Sequence, residues 1–422
     1  MTNVVQTLEE RGLLEALTSP DIRELVESPT VVYAGFDPTS DSLQVGNLVA
    51  IIGLCHFQRA GHRVIALAGG ATGLIGDPSG KAAERDLPTV EAIEANVVGI
   101  RENLSRFLDF NHPTVPAGIV NNADWMAGYG YLQFLRDVGK HFRMGTMIGK
   151  DHVRARLEGE SGMSYAEFSY QILQAYDFLH LLDKEGCRVQ LGGSDQWGNI
   201  TAGIDLIHKL RGESAHGVTI PLVCDSSGQK FGKSEGNAVF LDSRKTSCYD
   251  FYQFFLRTED ADAERFLKIF TFLELPEIDA LVKAAERDPQ KRITQARLAE
   301  EVTRMVHGDD GVRIAQRASD VLFGGELTNI SADDLLAIFV DVPSTELPLD
   351  AIAGKAVVDI AVESGLVKSK GEARRLIANG GLYVNNQRVA SADATVAKSH
   401  LVDRRVLVLR SGKRSYRLVK VV

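Results

Sequence analysis

Two segments of the chain combine several glycines with lysine or arginine, a composition that suits the binding of a polyphosphate. Residues 69–81 read Gly-Gly-Ala-Thr-Gly-Leu-Ile-Gly-Asp-Pro-Ser-Gly-Lys, and Arg85 follows. Residues 230–234 read Lys-Phe-Gly-Lys-Ser and lie between Gly228 and Gly236. Glycine lets a backbone turn tightly or approach a ligand closely, and the cations could then fold over phosphates. Neither segment matches a Walker A loop or a dinucleotide fingerprint, so a solvated surface loop remains the alternative for each.

A third segment, residues 33–39 followed by 43–47, has the composition of a strand end, a turn and a helix start. It reads Tyr-Ala-Gly-Phe-Asp-Pro-Thr and then Leu-Gln-Val-Gly-Asn. The start of a helix presents free N–H groups and a positive dipole end, which favour a phosphate group. Junctions of this kind are also common without any function, so this pattern alone leaves both interpretations open.

Polar residues also recur on one face of a helix that is otherwise apolar. The capping box Ser-x-x-Glu at 164–167 predicts a helix that ends near residue 182. Within it, Tyr170, Gln174 and Asp177 are spaced i, i+4 and i+7, so they share one face. Such a stripe faces either water or a polar pocket. The run Gln-Leu-Gly-Gly-Ser-Asp-Gln at 190–196 adds polar groups at a predicted strand end and favours the pocket.

Short apolar runs predict the strands that must position these segments. They lie at 31–35, 64–68, 188–191 and 218–223, with helical stretches between them. Nearly continuous apolar strands that alternate with helices are typical of a parallel sheet covered on both faces. We therefore expect an α/β domain with a doubly wound parallel sheet over residues 30–225. Such a sheet binds ligands at the carboxyl ends of its strands, where the glycine-rich segments fall.

Beyond residue 246 the strand signals fade, and the rest of the chain divides into three parts. Residues 247–323 have helical periodicity, and residues 324–354 are irregular and read as a connector. After residue 355, a capping box at 369–372 and β segments at 382–384 and 406–409 predict a small α+β domain. The predicted domains and connector are 1–235, 236–323, 324–354 and 355–422.

Composition excludes several classes of protein. The 422 residues are too many for one core, and 44% apolar with 24% charged residues is typical of a globular protein. Four cysteines without a C-x-x-C pair argue against a zinc ribbon or a disulfide framework. The N-terminus has no secretory pattern and no apolar run is long enough for a bilayer, so we expect a cytoplasmic protein.

Charge is distributed unevenly along the chain. Residues 355–422 contain 14 Lys and Arg against 5 Asp and Glu, a net charge of +9. Because the whole chain carries −9, the preceding residues carry −18. A basic tail on an acidic body suggests that the tail meets a polyanion, and the alternative is a solvated basic face. On the first interpretation, the arginines that would mostly meet phosphates include Arg374, Arg375, Arg404, Arg405, Arg410 and Arg414.

Taken together, these segments resemble the bacterial tyrosyl-tRNA synthetases, which are class I aminoacyl-tRNA synthetases. The resemblance runs through nearly the whole chain, and the ordered set of segments is specific although each one alone is not. It implies a Rossmann-like catalytic domain, a helical anticodon-side domain and a C-terminal RNA-binding domain of the S4 type. It also implies a homodimer that activates tyrosine with ATP, accompanied by Mg²⁺, and transfers the tyrosine to tRNA(Tyr). It implies no tightly bound metal and no membrane partner.

The resemblance assigns roles residue by residue. Those around the substrate tyrosine would be Tyr33, Asp77, Tyr170, Gln174, Asp177 and Gln196. Tyr33 and Asp177 would hold the phenolic hydroxyl, and Gln196 would lie beside the reacting carboxylate. Those in contact with ATP would be Gly35, Asp37, Gly46, Gly192, Asp195 and Lys233. Those that act in catalysis, mostly at the phosphates, would be Thr39, Gln44, Asn47, Lys81, Arg85, Lys230 and Lys233.

The chain departs from the family pattern at the start of the first long helix. The motif usually written His-Ile-Gly-His is Gln44-Val-Gly-Asn47 here, so both histidines are absent. The amide of Asn47 can still donate a hydrogen bond, and so can that of Gln44 from a longer side chain. We therefore expect activity to survive with altered efficiency. The segment at 230–234, called the lysine segment below, keeps both lysines of the usual Lys-Met-Ser-Lys-Ser.

Two other functions remain as alternatives. A catalytically impaired paralogue could bind RNA through its tail, as Gln44 would allow, although retained Lys81, Arg85, Lys230 and Lys233 argue against it. An enzyme that adenylates a small molecule without a tRNA partner would have no use for the basic tail. Exchange of pyrophosphate into ATP that depends on tyrosine distinguishes these classes.

Overall fold

The chain forms two compact units in a computed structural model. The structure describes residues 3–79, 88–159, 162–234, 237–322, 325, 327, 330–339, 342–412 and 415–422. One unit comprises Met1–Lys245 with Phe255–Val306, and the other comprises Thr246–Phe254 with His307–Val422. Among the helices of these ranges, none is both long enough and apolar enough to span a membrane.

The first unit is built on a six-stranded sheet, as counted over the described residues. Its strands are β1 (Ala16–Leu17), β2 (Val31–Phe36), β3 (Arg63–Ala68), β4 (Gly118–Asn121), β5 (Cys187–Gly193) and β6 (His216–Ile220). The strand order is β1-β6-β5-β2-β3-β4, and only β1 pairs in the antiparallel sense. The chain thus winds outward in both directions from β2 and β5, which confirms the predicted doubly wound parallel sheet.

The predicted central strands were found almost where the apolar runs lie. β6 ends at Ile220, just before Pro221, because proline has no N–H to donate to a neighbouring strand. The sequence did not predict β1 or β4. Both are short strands at the edges of the sheet and are only half-buried, so they lack the continuous apolar pattern of a central strand.

Helices cover this sheet. Those that begin before residue 246 are α1 (Val4–Glu10), α2 (Ile22–Leu25), α3 (Val45–Arg59), α4 (Val90–Leu104), α5 (Ala123–Met126), α6 (Tyr131–Asp137), α7 (Met144–Ile148), α8 (Asp151–Glu158), α9 (Tyr165–Glu185) and α10 (Trp197–Arg211). Helix α3 packs on β2, β3 and β5 and is buried along most of its length, as expected for a helix apolar on all sides. Helices α9 and α10 pack with Tyr33, Ile65 and Leu67 in one hydrophobic core of this unit.

The region predicted to be helical contains α11 (Cys248–Leu256), α12 (Asp260–Phe270), α13 (Leu275–Arg287) and α14 (Ile293–Leu322). Before it, β7 (Lys233–Ser234) pairs with β8 (Asn237–Ala238) in a short antiparallel ladder. Within α14, Gly308 adopts φ 72° and ψ −177°, so the helical backbone conformation is interrupted there by a kink. Glycine accepts this left-handed φ without the steric cost that a Cβ would add.

The last part of the chain contains a five-stranded sheet, as counted over the described residues. Its strands are β9 (Ser344–Leu347), β10 (Leu382–Val384), β11 (Gln387–Arg388), β12 (Val406–Ser411) and β13 (Ser415–Val421), and its helices are α15 (Ala332–Ile338), α16 (Leu349–Ile352), α17 (Val357–Glu363) and α18 (Lys370–Ala378). Ser369 caps the start of α18, and its Oγ accepts the Glu372 N–H at 3.3 Å, as the capping box predicts. The edge strand β9 falls in the range 324–354 that the sequence assigned to a connector.

Candidate functional site

A cavity of about 590 Å³ opens at the carboxyl ends of β2 and β5, where the strand order reverses. Ligands of doubly wound sheets bind at this position because the loops on the two sides of the reversal diverge and leave a crevice. The predicted site residues that line the cavity are Tyr33, Gly35, Asp37, Thr39, Gln44, Gly46, Asn47, Asp77, Tyr170, Gln174, Asp177, Gly192, Asp195, Gln196 and Lys230. The fold therefore brings residues from distant parts of the chain into one site.

At the floor of the cavity lie Tyr33, from β2, and Asp177, from α9. Both side chains are at most 1% exposed. The Tyr33 ring packs on Phe178 with centroids 5.3 Å apart, while its hydroxyl has no hydrogen-bond partner among the described residues. Burial, followed by the charge of Asp177, raises the pKa of Tyr33 well above its usual value. A buried hydroxyl without a partner is costly, so this group is suited to a ligand that supplies one.

The carboxylate of Asp177 accepts two hydrogen bonds from residues that the sequence analysis did not select. Trp125 Nε1 donates to Oδ1 at 2.8 Å, and Asn122 Nδ2 donates to Oδ2 at 3.0 Å. Burial raises the pKa of Asp177 to about 7, although these two donors act in the opposite direction. Asp177 is thus a fixed acceptor whose charge changes near neutral pH.

A second carboxylate, Asp37, joins the same polar network. Its Oδ2 accepts the Tyr170 hydroxyl at 2.7 Å, and its Oδ1 accepts the Thr72 hydroxyl at 2.9 Å. Asn122 connects the two acids, because its Nδ2 also lies 3.0 Å from Thr72 Oγ1. Gly69 must be glycine here, since a Cβ would lie 2.2 Å from Asp37 Oδ1. The glycine-rich turn therefore lets the backbone pass directly beneath the carboxylate.

A cluster of amides surrounds Asp77 on another wall of the cavity. Gln196 Nε2 donates to Asp77 Oδ2 at 2.6 Å, and Gln174 Nε2 donates to Gln196 Oε1 at 3.3 Å. Asn199 Nδ2 contacts both glutamine oxygens at 3.1 Å, so it holds the pair in place. A carboxylate beside amide oxygens is an environment that suits a primary ammonium group.

At the mouth of the cavity, Gln44 is the residue that precedes α3. Its N–H donates to Asn47 Oδ1 at 2.9 Å, which uses the amide oxygen of Asn47 and leaves its amide nitrogen as a donor. Gly46, in the first turn of the helix, is exposed to the cavity. The helix start thus combines free N–H groups with two side-chain amides, an arrangement favourable to phosphate.

The lysine segment borders the same mouth. Lys230 is exposed and lines the cavity, followed by Phe231 and Gly232. The side chain of Lys233 lies outside the described part of the structure, as do Lys81, Arg85 and Arg414 altogether. Within the described ranges, no group of three or more His, Cys, Asp or Glu is placed to hold a metal ion.

Three site residues escaped the sequence analysis, Asn122, Trp125 and Asn199, and Gln190 was included only in the polar run 190–196, without a role of its own. Gln190, paired with Tyr33 in adjacent strands, is 3% exposed and lines the cavity, and its Oε1 has no partner in the described structure. One signal could have found Asn122, because it directly follows β4 and so lies at the same carboxyl edge. That strand is short and half-buried, and its pattern was too weak to predict.

In the second compact unit, most of the selected arginines are exposed. Arg374 and Arg388 line a groove of about 490 Å³ whose floor includes Ile377 and Val389. Arg410 is different, which corrects the prediction that it meets phosphate. Its guanidinium lies 3.8 Å from the centroid of the Tyr383 ring and only 9% of the residue is exposed, so its main role is in packing.

Comparisons with known proteins agree over the whole chain. The family described as tRNA synthetases class I (W and Y) matches residues 25–324, and the Tyrosine--tRNA ligase SYY-like C-terminal domain matches residues 334–419. The Tyrosine--tRNA ligase of Protochlamydia amoebophila is 49% identical over 425 residues and 100% of each chain, and that of Geobacillus stearothermophilus is 48% identical over 99% of each. A truncated mitochondrial tyrosyl-tRNA synthetase of Aspergillus nidulans superposes with a TM-score of 0.69 at 33% identity, over 76% of this chain and 95% of that one.

Proposed function

The chain belongs to the class I tRNA synthetases of the tryptophan and tyrosine group, and from this premise we propose how its cavity performs the reaction. That reaction is the ligation of tyrosine to tRNA. In the first step, a carboxylate oxygen of tyrosine attacks the α-phosphorus of ATP, and pyrophosphate leaves. In the second step, a terminal ribose hydroxyl of tRNA attacks the carbonyl carbon of the adenylate, and AMP leaves. Neither step needs an enzyme nucleophile, so the protein positions reactants and stabilises charge.

The selection of tyrosine is assigned to Tyr33 and Asp177. The observation that carries this assignment is the buried Tyr33 hydroxyl without a partner, next to a carboxylate held by Asn122 and Trp125. The substrate phenol would donate to Asp177 and accept from Tyr33. Phenylalanine would leave the buried Tyr33 hydroxyl unpaired and would offer Asp177 no donor beyond Asn122 and Trp125, which is a strong penalty. Tyrosyl-tRNA synthetases are already the standard example of an enzyme that rejects phenylalanine in this way. We therefore expect this chain to discriminate strongly between tyrosine and phenylalanine as well.

The other end of the amino acid is assigned to the amide cluster. Asp77, Tyr170 and Gln174 would hold the ammonium group, and Gln196 would lie beside the carboxylate. Tyr170 donates its own proton to Asp37, so its oxygen remains able to accept from the ammonium group. The ammonium position would thus be defined by oxygen atoms from different elements, which fixes the direction of the carboxylate.

The nucleotide would lie across the mouth of the cavity. Gly35, Asp37, Gly46, Gly192, Asp195 and Lys233 are assigned to ATP. The groups assigned to the phosphates are Thr39, Gln44, Asn47, Lys81, Arg85, Lys230 and Lys233. Mg²⁺ would enter with the ATP as part of the substrate, bound mainly by phosphate oxygens. The lysines and Arg85 would gain most contact as charge develops on the departing pyrophosphate, which lowers the barrier.

The parts of the chain would divide the work. Residues 1–235 would carry out activation, residues 236–323 would lie on the anticodon side, and residues 355–422 would bind tRNA, with 324–354 between them. The exposed arginines of the last part support this assignment, since phosphate contacts supply much of the affinity for RNA. The enzyme would act in the cytoplasm.

A homodimer is proposed from large apolar side chains that are exposed on the first unit between residues 131 and 165. They are 40–80% exposed and are Tyr131, Leu132, Met144, Ile148, Leu157 and Tyr165. The hydroxyls of Tyr131 and Tyr165 lie 3.5 Å apart, so distant segments meet in this surface. Large apolar groups clustered on a surface are typical of an interface.

Sedimentation experiments test the dimer. Leu132→Asp should convert a dimer into a monomer, whereas Val98→Asp, at a separate exposed valine, should not. A monomeric parent protein would contradict the proposal.

Pyrophosphate exchange tests the activity directly. Purified protein should exchange labelled pyrophosphate into ATP in the presence of tyrosine and far less with phenylalanine. Equal exchange with both amino acids would contradict the assignment of Tyr33 and Asp177. Exchange with neither would favour an impaired paralogue, and the same preparation should then be tested for binding to tRNA.

A further inference from the structure

Phe231 stands between Lys230 and Gly232 in the lysine segment, and its surroundings differ from those of a surface loop. Its ring centroid lies 4.3 Å from that of Phe266, 5.3 Å from Phe270 and 5.8 Å from Phe255. These three partners, from α11 and α12, are at most 1% exposed. Edge-to-face and tilted aromatic contacts at these distances stabilise a packed cluster. The segment is thus attached to the helices at the residue directly beside one of its lysines.

The backbone around Phe231 is held on both sides. Its N–H donates to the Val223 carbonyl at 2.9 Å, and the Gly232 carbonyl accepts the Val239 N–H at 3.0 Å. Gly232 has φ 109°, and a Cβ there would lie 3.1 Å from Gly46 N, so the segment touches the first turn of α3. Only glycine allows both this φ and this approach.

Helix α12 also makes polar contacts with residues 224–226, a stem that leads into the lysine segment. Arg265 donates to the Cys224 carbonyl at 2.5 Å, and Asp262 Oδ2 accepts the Ser226 N–H at 2.7 Å. These polar contacts fix the stem, but they lie four or more residues before Lys230. Among the side-chain contacts given above, the aromatic packing of Phe231 lies nearest to Lys230, and it adds to the backbone bridge between Lys230 and Cys224.

We infer that Phe231 is a positioning residue for tyrosine activation: its ring sets where Lys230 and Lys233 stand over the leaving pyrophosphate. This inference rests on the proposed phosphate role of the two lysines. Cations lower the barrier only when they are already in place as charge develops. A displacement of about 1 Å in such a group can cost roughly 100-fold in rate. Without the ring, both lysines would remain in the chain but would no longer be held in position at the leaving pyrophosphate.

The experiment measures single-turnover formation of tyrosyl-adenylate at saturating MgATP, together with tyrosine affinity by equilibrium dialysis. Phe231→Ala should slow the forward rate about 100-fold while tyrosine affinity changes little. Phe231→Met should restore most of the rate, because methionine fills an aromatic gap with a flexible apolar chain. Phe107→Ala is the matched control, since it removes a half-buried phenylalanine that does not line the cavity, and it should leave the rate unchanged.

A double-mutant comparison separates positioning from general damage. In a Lys230→Ala/Lys233→Ala background, Phe231→Ala should have little further effect on the rate, because the groups it aims are gone. An equal fractional loss in both backgrounds would overturn the inference, and so would Phe231→Ala at the parental rate. If the parent protein itself forms no tyrosyl-adenylate, the proposed function fails rather than the role of Phe231.

Discussion

At the scale of single residues, Asp177 is a carboxyl group whose charge depends on pH in the physiological range. Burial raises its pKa to about 7, so the free protein holds a mixture of acid and carboxylate near neutrality. The tyrosine phenol donates its proton in a hydrogen bond and therefore favours the carboxylate. A ligand that prefers the deprotonated form binds more tightly as pH rises through the pKa of the free protein.

Tyrosine affinity should accordingly increase between about pH 6 and pH 8 and then level off. Trp125→Phe removes a donor that favours the carboxylate, so it should move the same transition to higher pH. Equilibrium dialysis of tyrosine across this range measures both profiles. A flat profile for the parent protein would show that Asp177 is already fully ionised, contrary to the effect of its burial.

Substitutions of Gln44 test how the chain works with glutamine in place of the first histidine of the usual His-Ile-Gly-His motif. Its backbone is fixed by the bond to Asn47 and by a bridge to Phe240, so a change of side chain should leave the helix start intact. Gln44→His should be at least as active as the parent in single-turnover activation, because histidine also donates a hydrogen bond. Gln44→Ala should lose roughly 100-fold, the usual cost of one removed donor at developing charge. If alanine were as fast as glutamine, Gln44 would have no role at the phosphates.

At the scale of elements, α9 carries Tyr170, Gln174 and Asp177, and a buried ion pair attaches it to α8. Arg156 Nη1 and Nη2 each lie 2.7 Å from a Glu167 oxygen, and both side chains are 5% exposed. The guanidinium also donates to the Gly162 carbonyl at 3.0 Å. Glu167, the acid of the predicted capping box, thus pairs with arginine, while Ser164 Oγ accepts the Glu167 N–H at 3.2 Å.

Arg156→Leu should destabilise the protein by about 3–5 kcal/mol, because it leaves a buried carboxylate without a partner. Urea unfolding followed by far-ultraviolet circular dichroism measures the loss. The control is Arg188→Leu, which breaks an exposed pair with Glu213 and should cost less than about 1 kcal/mol. Arg156→Leu/Glu167→Leu should recover part of the stability; equal losses for the buried and the exposed pair would contradict this account.

At the scale of the whole molecule, the uneven charge leads us to expect that activation and tRNA binding depend on different parts of the chain. Arg374→Gln/Arg388→Gln removes two exposed cations from the groove in the second unit. Tyrosine-dependent pyrophosphate exchange should be unchanged, whereas tRNA affinity should fall. The dependence of log affinity on log salt should become shallower by about 0.7–0.9 for each phosphate that the variant no longer neutralises.

Filter binding across a salt series measures these slopes. The matched control is Arg23→Gln/Arg188→Gln, which removes the same charge from exposed positions of the first unit. Equal slopes for the two double variants would mean that the groove has no special role and that the tail acts only through overall charge. Substitution tests the role of the tail better than deletion does. Strands β12 and β13 bury apolar residues such as Leu335 and Phe339, and deletion of the tail would expose them.

The central strands and the long helices were predictable from the sequence because their signals are local. A buried parallel strand needs a continuous apolar run, as in β2 and β3, and a helix needs periodicity with a cap, as in α9. The selected residues of the cavity were predictable from the resemblance, and they do lie together wherever the structure describes them. Their separate roles remain predictions, since co-location does not identify which atom of a ligand each one contacts.

The partners of those residues depend on tertiary structure alone. Asn122 and Trp125 reach Asp177 across 55 and 52 residues of chain, and Phe231 meets Phe266 across 35. No local pattern marks these pairs, because each contact exists only once folding has brought two distant segments together. The pKa of Asp177 has the same origin, since burial and not residue type raises it. The sequence thus determined which chemical groups are present, and the folded chain decided which of them are buried, paired or left to meet a substrate.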